Sequence, residues 1–286
     1  MKIPKKLEPL LHDGLIDEVV GQLMSGKESE VYVVRCQGEI RCAKVYKEVQ
    51  HRSFHKQSQY LEGRKTRSSR RARAMDKHSR FGRKEQEASW QNAEVDALYL
   101  LAAAGVRVPE PYSFSEGVLL MELVVDQAGM AAPRLNDLLL TETQALEFHR
   151  ILIAQVVRML CAGLVHGDLS EFNVLIATDG PVIIDLPQAI NAAGNNNAGS
   201  LFKRDVDNLA IYFGQFAPEL LTTAYAEEIW HHYENGALKL ETQLTGRFES
   251  STKAADVQLV MREIEETREE AMERLWKKEQ RTAHSR

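Results

Sequence analysis

Near the amino terminus apolar and polar residues alternate over Glu18–Met24, Val31–Cys36 and Ile40–Tyr46, which predicts three strands. Period two sets Ile40, Cys42, Lys44 and Tyr46 on one face of the third. The spacing then lengthens over Glu87–Ala104, where Val95, Leu98, Leu101 and Ala102 form a helical stripe that ends at Gly105. Val108-Pro109-Glu110-Pro111 stops that helix, and Tyr112–Phe114 and Gly117–Leu123 return to strand.

A helical half follows. Arg134–Leu140 reads as a short helix, and Thr141-x-x-Gln144 as a capping box that opens a longer one. Its core side carries Leu146, Ile153, Val156, Val157 and Leu160, and Gly163 ends it. Val174–Ala177 and Val182–Ile184 flank a Thr178-Asp179-Gly180 turn, the pattern of a hairpin. Asn191–Ser200 reads as a flexible polar loop. Helix is expected over Asp205–Phe216 and, with a turn at Asn235-Gly236, between Leu220 and Gly246. Ala254–Lys278 repeats Val257, Val260, Ile264, Ala271 and Leu275 at helical spacing, for packing on the lobe or for a partner.

The pattern therefore predicts an α+β fold of two lobes. The first, 16–124, is a small antiparallel sheet with one main helix; the second, 125–250, is mostly helical and contains the hairpin region 165–188. Residues 1–15 precede them as an extension, and 254–283 follow as an amphipathic helix.

Several polar residues interrupt apolar patterns. Lys44 sits on an apolar strand face, either snorkelling or meeting a phosphate. Glu94 shares the stripe of Leu98 and Leu101, where an acid needs a cation, and Lys44 or the basic stretch that follows it could supply one. Between the first two strands, Ser25-Gly26-Lys27-Glu28-Ser29-Glu30 is either an ordinary hairpin loop or a cradle for phosphates. In the second case backbone N–H groups around Gly26, with Lys27 and Ser29, are the contacts. Asp168 and Asn173 stand five apart before the hairpin and Asp185 ends it, so the turn brings all three together. Hard oxygen ligands of this kind suit Mg²⁺, with one carboxylate left to orient a hydroxyl.

His166-Gly167-Asp168-Leu169-Ser170-Glu171-Phe172-Asn173, followed by Ile183-Ile184-Asp185-Leu186-Pro187-Gln188, resembles the RIO atypical protein kinases, closest to their RIO1-type branch. Ordinary protein kinases usually carry Lys two residues after the catalytic Asp, where this chain has Ser170, and Asp-Phe-Gly where it has Asp185-Leu186-Pro187. The resemblance covers about Ile16 to Phe216. It implies a two-lobed protein-kinase-like fold and a serine/threonine protein kinase that uses ATP with Mg²⁺, or Mn²⁺ in its place, and that also resembles an ATPase switch.

In that frame Gly26, Lys27 and Ser29 form the phosphate loop, and Lys44, held by Glu94, grips the α/β-phosphates. Met121 lies behind adenine, with the backbone of Glu122 and Val124 as acceptor and donor. Asn173 and Asp185 bind metal, Asp168 orients the acceptor hydroxyl or water, and Asp185 is the residue a phosphorylated switch would modify. Asp205 braces the catalytic loop, or simply caps its helix. The rival activities are a small-molecule phosphotransferase of the aminoglycoside- or choline-kinase kind, and an assembly factor that binds RNA or a ribosomal particle.

Charge adds one further feature. The net charge is −5, but His51–Lys84 holds twelve Lys or Arg against Glu62 and Asp76, a local +10 that leaves −15 elsewhere. With few large apolar residues, the stretch 51–84 reads as a flexible basic insertion, either merely solvated or engaging RNA or an acidic protein surface. The three cysteines form no Cys-x-x-Cys pair, which argues against a disulfide framework or zinc site and for a reducing cytoplasm. No run approaches the roughly eighteen apolar residues of a membrane span, and Met1–Glu8 lacks the apolar stretch of a signal peptide.

Overall fold

The computed structural model describes residues 3–26, 28–47 and 80–248, with the backbone alone over 80–90. Lys27, the basic stretch over 51–79 and the amphipathic segment 254–283 lie outside the described residues. Helix α1 (Glu8–His12) precedes strands β1 (Glu18–Ser25), β2 (Ser29–Cys36) and β3 (Glu39–Tyr46). Helix α2 (Arg80–Ala103) leads to β4 (Pro111–Ser115) and β5 (Val118–Glu122). The five strands make one antiparallel sheet in the order β1-β2-β3-β5-β4, so β3 runs through its centre.

Alternation along β3 feeds two cores. Ala43 and Val45 pack with Tyr32, Val34, Val118, Leu120 and, from the α1 segment, Leu7 and Leu10. Leu7 and Leu10, within the stretch 1–15 expected as an extension, thus cover part of one face of the sheet. Each buried leucine there is worth about 2 kcal/mol. Tyr46 and Leu119 face the opposite way, into a larger cluster that takes in Val95, Leu98 and Leu101 of α2 and continues through the helical lobe. Lys44 lies opposite Val31 and Leu119 in register, on that second face.

α2 starts at Arg80, seven residues ahead of the expected Glu87 and inside the span assigned to the insertion. It ends as its pattern predicts: Gly105 takes a φ of +74° that favours glycine, and the N–H of Val106 returns to the carbonyl of Leu101 at 3.0 Å. The connector beyond it is tied to the helical lobe through Arg158 Nη1 to the Gly105 carbonyl at 2.5 Å, and through Arg107 N–H to Gln155 Oε1 at 3.0 Å.

The helical lobe contains α3 (Glu142–Cys161), β6 (Leu164–Val165), β7 (Val174–Ala177), β8 (Gly180–Ile183), β9 (Ile190–Asn191), α4 (Ala198–Phe213) and α5 (Tyr225–Glu234). The capping box forms: Thr141 accepts from the Gln144 N–H and Gln144 Oε1 accepts from the Thr141 N–H, an arrangement worth about 1 kcal/mol. The expected helix over Arg134–Leu140 shrinks to one 3-10 turn, Leu135–Asp137, because Leu138 and Thr141 are extended so that Thr141 can cap α3.

Asn191–Ser200 is not a free loop. Asn191 Oδ1 accepts from the N–H groups of Ala193 and Gly194 at 3.1 and 2.7 Å, and Asn195 Oδ1 from that of Asn197 at 2.8 Å. Asparagine side chains replace backbone acceptors in such turns, so α4 starts at Ala198, seven residues before the expected Asp205, and stops at Phe213. Between Leu220 and Gly246 the helix is α5, and the Asn235-Gly236 turn follows it with Gly236 at φ +65°.

His149, buried in α3, packs edge-on against Phe213 and tilted against Tyr225; among the described residues its Nε2 has no hydrogen-bond partner. Burial pushes its pKa down to about 4. The unfolded chain takes up the proton near pH 6.5, so this group's contribution is complete at neutral pH and is lost as pH falls from 6.5 towards 4. Asp205 acts in the opposite direction, since burial raises it to about 6 and the folded state then holds its proton more tightly. His149→Phe keeps a ring without the titration. Relative to the parent, it should gain about 2 kcal/mol on going from pH 7 to 4.5 in denaturant unfolding. An equal difference at both pH values would rule out this buried imidazole as an acid-sensitive point.

Candidate active site

Short pairings hold the polar hairpin mouth. β6 and β9 pair as Val165 with Ile190, and β7 and β8 as Val174 with Ile183, so Asp168, Asn173 and Asp185 emerge at one end. Buried His166 accepts the Asp168 N–H at Nδ1 over 3.3 Å, which assigns the proton to Nε2; that nitrogen donates to the Ile184 carbonyl at 3.0 Å. Asp205, in the middle of α4, accepts from Gly167 and Leu169 N–H at 2.7 and 3.1 Å. The braced-loop alternative for Asp205 therefore holds over the helix cap. Arg204 donates to the Gly167 carbonyl and Asn208 to that of Leu169, so both sides of the loop are fixed.

Asn173 donates its amide N–H to the Asp168 carbonyl at 2.9 Å, and its amide oxygen is the acceptor that remains on the side chain. Asp185 is a half-exposed carboxylate whose φ of +68° bends the chain back over the loop. Among the described residues no three His, Cys, Asp or Glu side chains gather as a metal cage. Mg²⁺ in phosphate-handling sites needs only one or two carboxylates, with waters and phosphates supplying the rest, so an amide oxygen and one carboxylate fit it.

From the sheet, Lys44 reaches this mouth. Its Nζ lies 2.5 Å from Glu94 Oε1 and 3.6 Å from Asp185 Oδ1. Burial alone would pull the ammonium pKa down, but the Glu94 and Asp185 carboxylates outweigh it and raise it, so the lysine stays charged. Glu94 is itself buried, so α2 spends a core-facing position on an acid whose partner is fifty residues away.

Gly26 N–H donates to the Ser29 carbonyl at 2.9 Å instead of pointing outward, and Ser29 is a buried first residue of β2. Lys47, which no local pattern singles out, donates to the Gly26 carbonyl at 2.9 Å and to Ser25 Oγ at 3.2 Å, and pairs with Glu30 at 3.1 Å.

Met121 lies opposite Cys42 in register, on the face that carries Lys44. Burial raises the Cys42 thiol to about 12, leaving an uncharged wall there. Past Met121, the Glu122 N–H donates to the Glu110 carbonyl at 2.8 Å and the Ala132 N–H to the Val124 carbonyl at 2.9 Å.

Arg107 also went unnoticed in the sequence. It forks onto Glu122 at 2.8 Å through each terminal nitrogen, and its Nε donates to Asp179 at 2.8 Å. The guanidinium holds the Asp179 carboxyl below its usual range, and overcomes burial to lower that of Glu122 as well. The end of β5 and the β7–β8 turn are thereby clamped to one side chain. A single arginine beside a proline-rich connector carries no pattern that could have announced this.

The family model of the RIO domain matches residues 30–227. The RIO-type serine/threonine-protein kinase Rio1 of Haloferax volcanii is 32% identical over 209 residues, covering 71% of this chain and 66% of that protein. The serine/threonine-protein kinase RIO1 of Homo sapiens is 27% identical over 265 residues, covering 88% of this chain and 45% of that one. The Rio1 of Methanocaldococcus jannaschii is 29% identical over 199 residues, 69% and 63% of the two chains. The match thus spans between 45% and 66% of the length of these relatives. The matched interval holds both the Lys44–Glu94 pair and the hairpin with Asp168, Asn173 and Asp185, and the chain belongs to the RIO kinase family.

Proposed function

We propose that the chain is an ATP-dependent serine/threonine protein kinase of the RIO type. The observation that carries this reading is Lys44 Nζ at 2.5 Å from Glu94 and 3.6 Å from Asp185, a charged pair aimed at a mouth that also holds Asp168 and Asn173. Adenine lies against Cys42 and Met121, between the Glu122 carbonyl and the Val124 N–H. Lys44 neutralises the α/β-phosphates while Glu94 fixes its direction; the Gly26 N–H is held by Ser29 and so is not offered to them, and Lys27, outside the described residues, is the remaining member proposed for this loop. Asn173 and Asp185 are the residues that would hold Mg²⁺ or Mn²⁺, which when bound neutralises charge on the phosphates. Asp168 orients the acceptor hydroxyl and takes its proton as the hydroxyl oxygen bonds to the γ-phosphorus and the bond to ADP breaks. Positioning and charge supply nearly all the catalysis that phosphoryl transfer requires.

Incubation of the purified chain with γ-labelled ATP and Mg²⁺, with and without a serine-containing protein, tests the proposal. Label stable to hydroxylamine on a hydroxyl supports the kinase reading. Hydroxylamine-labile label points instead to an acyl phosphate on Asp185 and a switch, and label on an aminoglycoside or choline to a small-molecule phosphotransferase. Cys36, Cys42 and Cys161 are all free thiols, which supports a cytoplasmic setting. Among the described residues no helix is long and apolar enough to cross a membrane.

The +10 charge of 51–84 supports a second element of the proposal, an RNA or ribosomal-particle contact. Binding of single-stranded RNA should then weaken with salt at a log–log slope of roughly −0.7 per phosphate contacted. Replacing Arg64, Lys65, Arg67, Arg70, Arg71 and Arg73 with Gln should flatten it, and an unchanged slope would remove RNA as the partner.

A further inference from the structure

The Asp168 backbone is fixed on both sides, its N–H by His166 and its carbonyl by Asn173, yet its side chain stands at the surface of the loop. A carboxylate on a fixed backbone still rotates about two bonds, and an acceptor hydroxyl requires one oxygen in one place. Gln188 supplies a restraint: its Nε2 donates to Asp168 Oδ2 at 2.8 Å. Gln188 arrives there by a constrained path. Asp185 bends the chain at φ +68°, Pro187 limits the backbone, and the Ala189 N–H closes a turn onto the Leu186 carbonyl at 3.0 Å, with Leu186 and Ala189 both buried.

We infer that Gln188 is a positioning residue of the Asp168 carboxylate, a neutral donor that holds Oδ2 in one place for the acceptor. The inference rests on the phosphotransferase reading and assigns that site a further member. An amide suits the task because its N–H donates to the carboxylate at hydrogen-bond distance. The residue also links two halves of the site: the turn that displays Asp185 is the turn that orients Asp168.

Three variants separate donation from packing. Gln188→Met preserves length without a donor and should lower kcat for transfer from γ-labelled ATP by about 10- to 100-fold, with KM for ATP unchanged. Gln188→Lys restores a donor and should recover most of that loss. Gln188→Glu sets two carboxylates together and should fall at least as far as Met. Parental kcat in the Met variant, a Lys variant no better than Met, or a change confined to KM would each overturn the inference. The contact is read without turnover from the Gln188 side-chain amide signal in NMR, which should move when Asp168 becomes Ala. An amide pair unmoved by that substitution overturns the contact. A parent protein that transfers no phosphoryl group to any acceptor, while the amide still responds, overturns the phosphotransferase reading instead.

Discussion

Asp168→Ala should reduce phosphoryl transfer by about 10²- to 10⁴-fold, the range for loss of a general base, while nucleotide affinity stays near that of the parent. Its backbone carbonyl still accepts from Asn173 after the substitution, so the neighbouring metal-site residue keeps its support. Asp185→Ala should do something different. It removes the half-exposed carboxylate proposed for metal and also one of the two acids facing Lys44, so binding of nucleotide with Mg²⁺ weakens along with turnover. Calorimetric titration of ATP with Mg²⁺ into both variants separates the roles. Equal losses of affinity would show that the two carboxylates do not divide the work in this way.

The second large effect is expected in stability. Lys44 and Glu94 have side chains 14% and 8% exposed, so removing either leaves a charge in a poorly solvated place. Breaking a buried pair from one side costs about 3–5 kcal/mol. The two sides are not equivalent here. Lys44→Met strands Glu94 next to the buried faces of Val95 and Leu98, whereas Glu94→Gln leaves Lys44 with Asp185 at 3.6 Å as a remaining counter-charge. Denaturant unfolding should therefore rank Lys44→Met as the more damaging change. The double variant should cost less than the sum of the singles by roughly 1–3 kcal/mol. Strict additivity would mean that the pair contributes nothing as a pair, and a larger cost for Glu94→Gln would mean that Asp185 does not share the lysine.

These two experiments probe residues that local sequence already singled out, for a physical reason. Lys44 and Glu94 violate the apolar periodicity of their own elements, and a charge on a core-facing position needs a partner wherever it lies. Asp168, Asn173 and Asp185 were legible for a different reason: a short hairpin fixes the distance between its own ends, so spacing along the chain becomes proximity in space. The same locality made the capping box of α3 and the Gly105 stop of α2 readable, since each is satisfied within a few residues.

Tertiary structure decided whatever depends on partners far along the chain or on side chains standing in for backbone. Residues 1–15 read only as an extension because their few leucines have no meaning until the sheet offers them a face. Asn191–Ser200 looked flexible because polarity alone does not distinguish an asparagine facing water from one that accepts two backbone N–H groups. Arg107 and Asp179 are 72 residues apart, and Gln188 and Asp168 are 20 apart. The sequence by itself determined where strands, helices and unusual charges fall, because periodicity and local turn chemistry act within a few residues. Which surface charges become clamps and positioning groups was decided only when the fold brought distant segments within about 3 Å, the range at which a hydrogen bond forms.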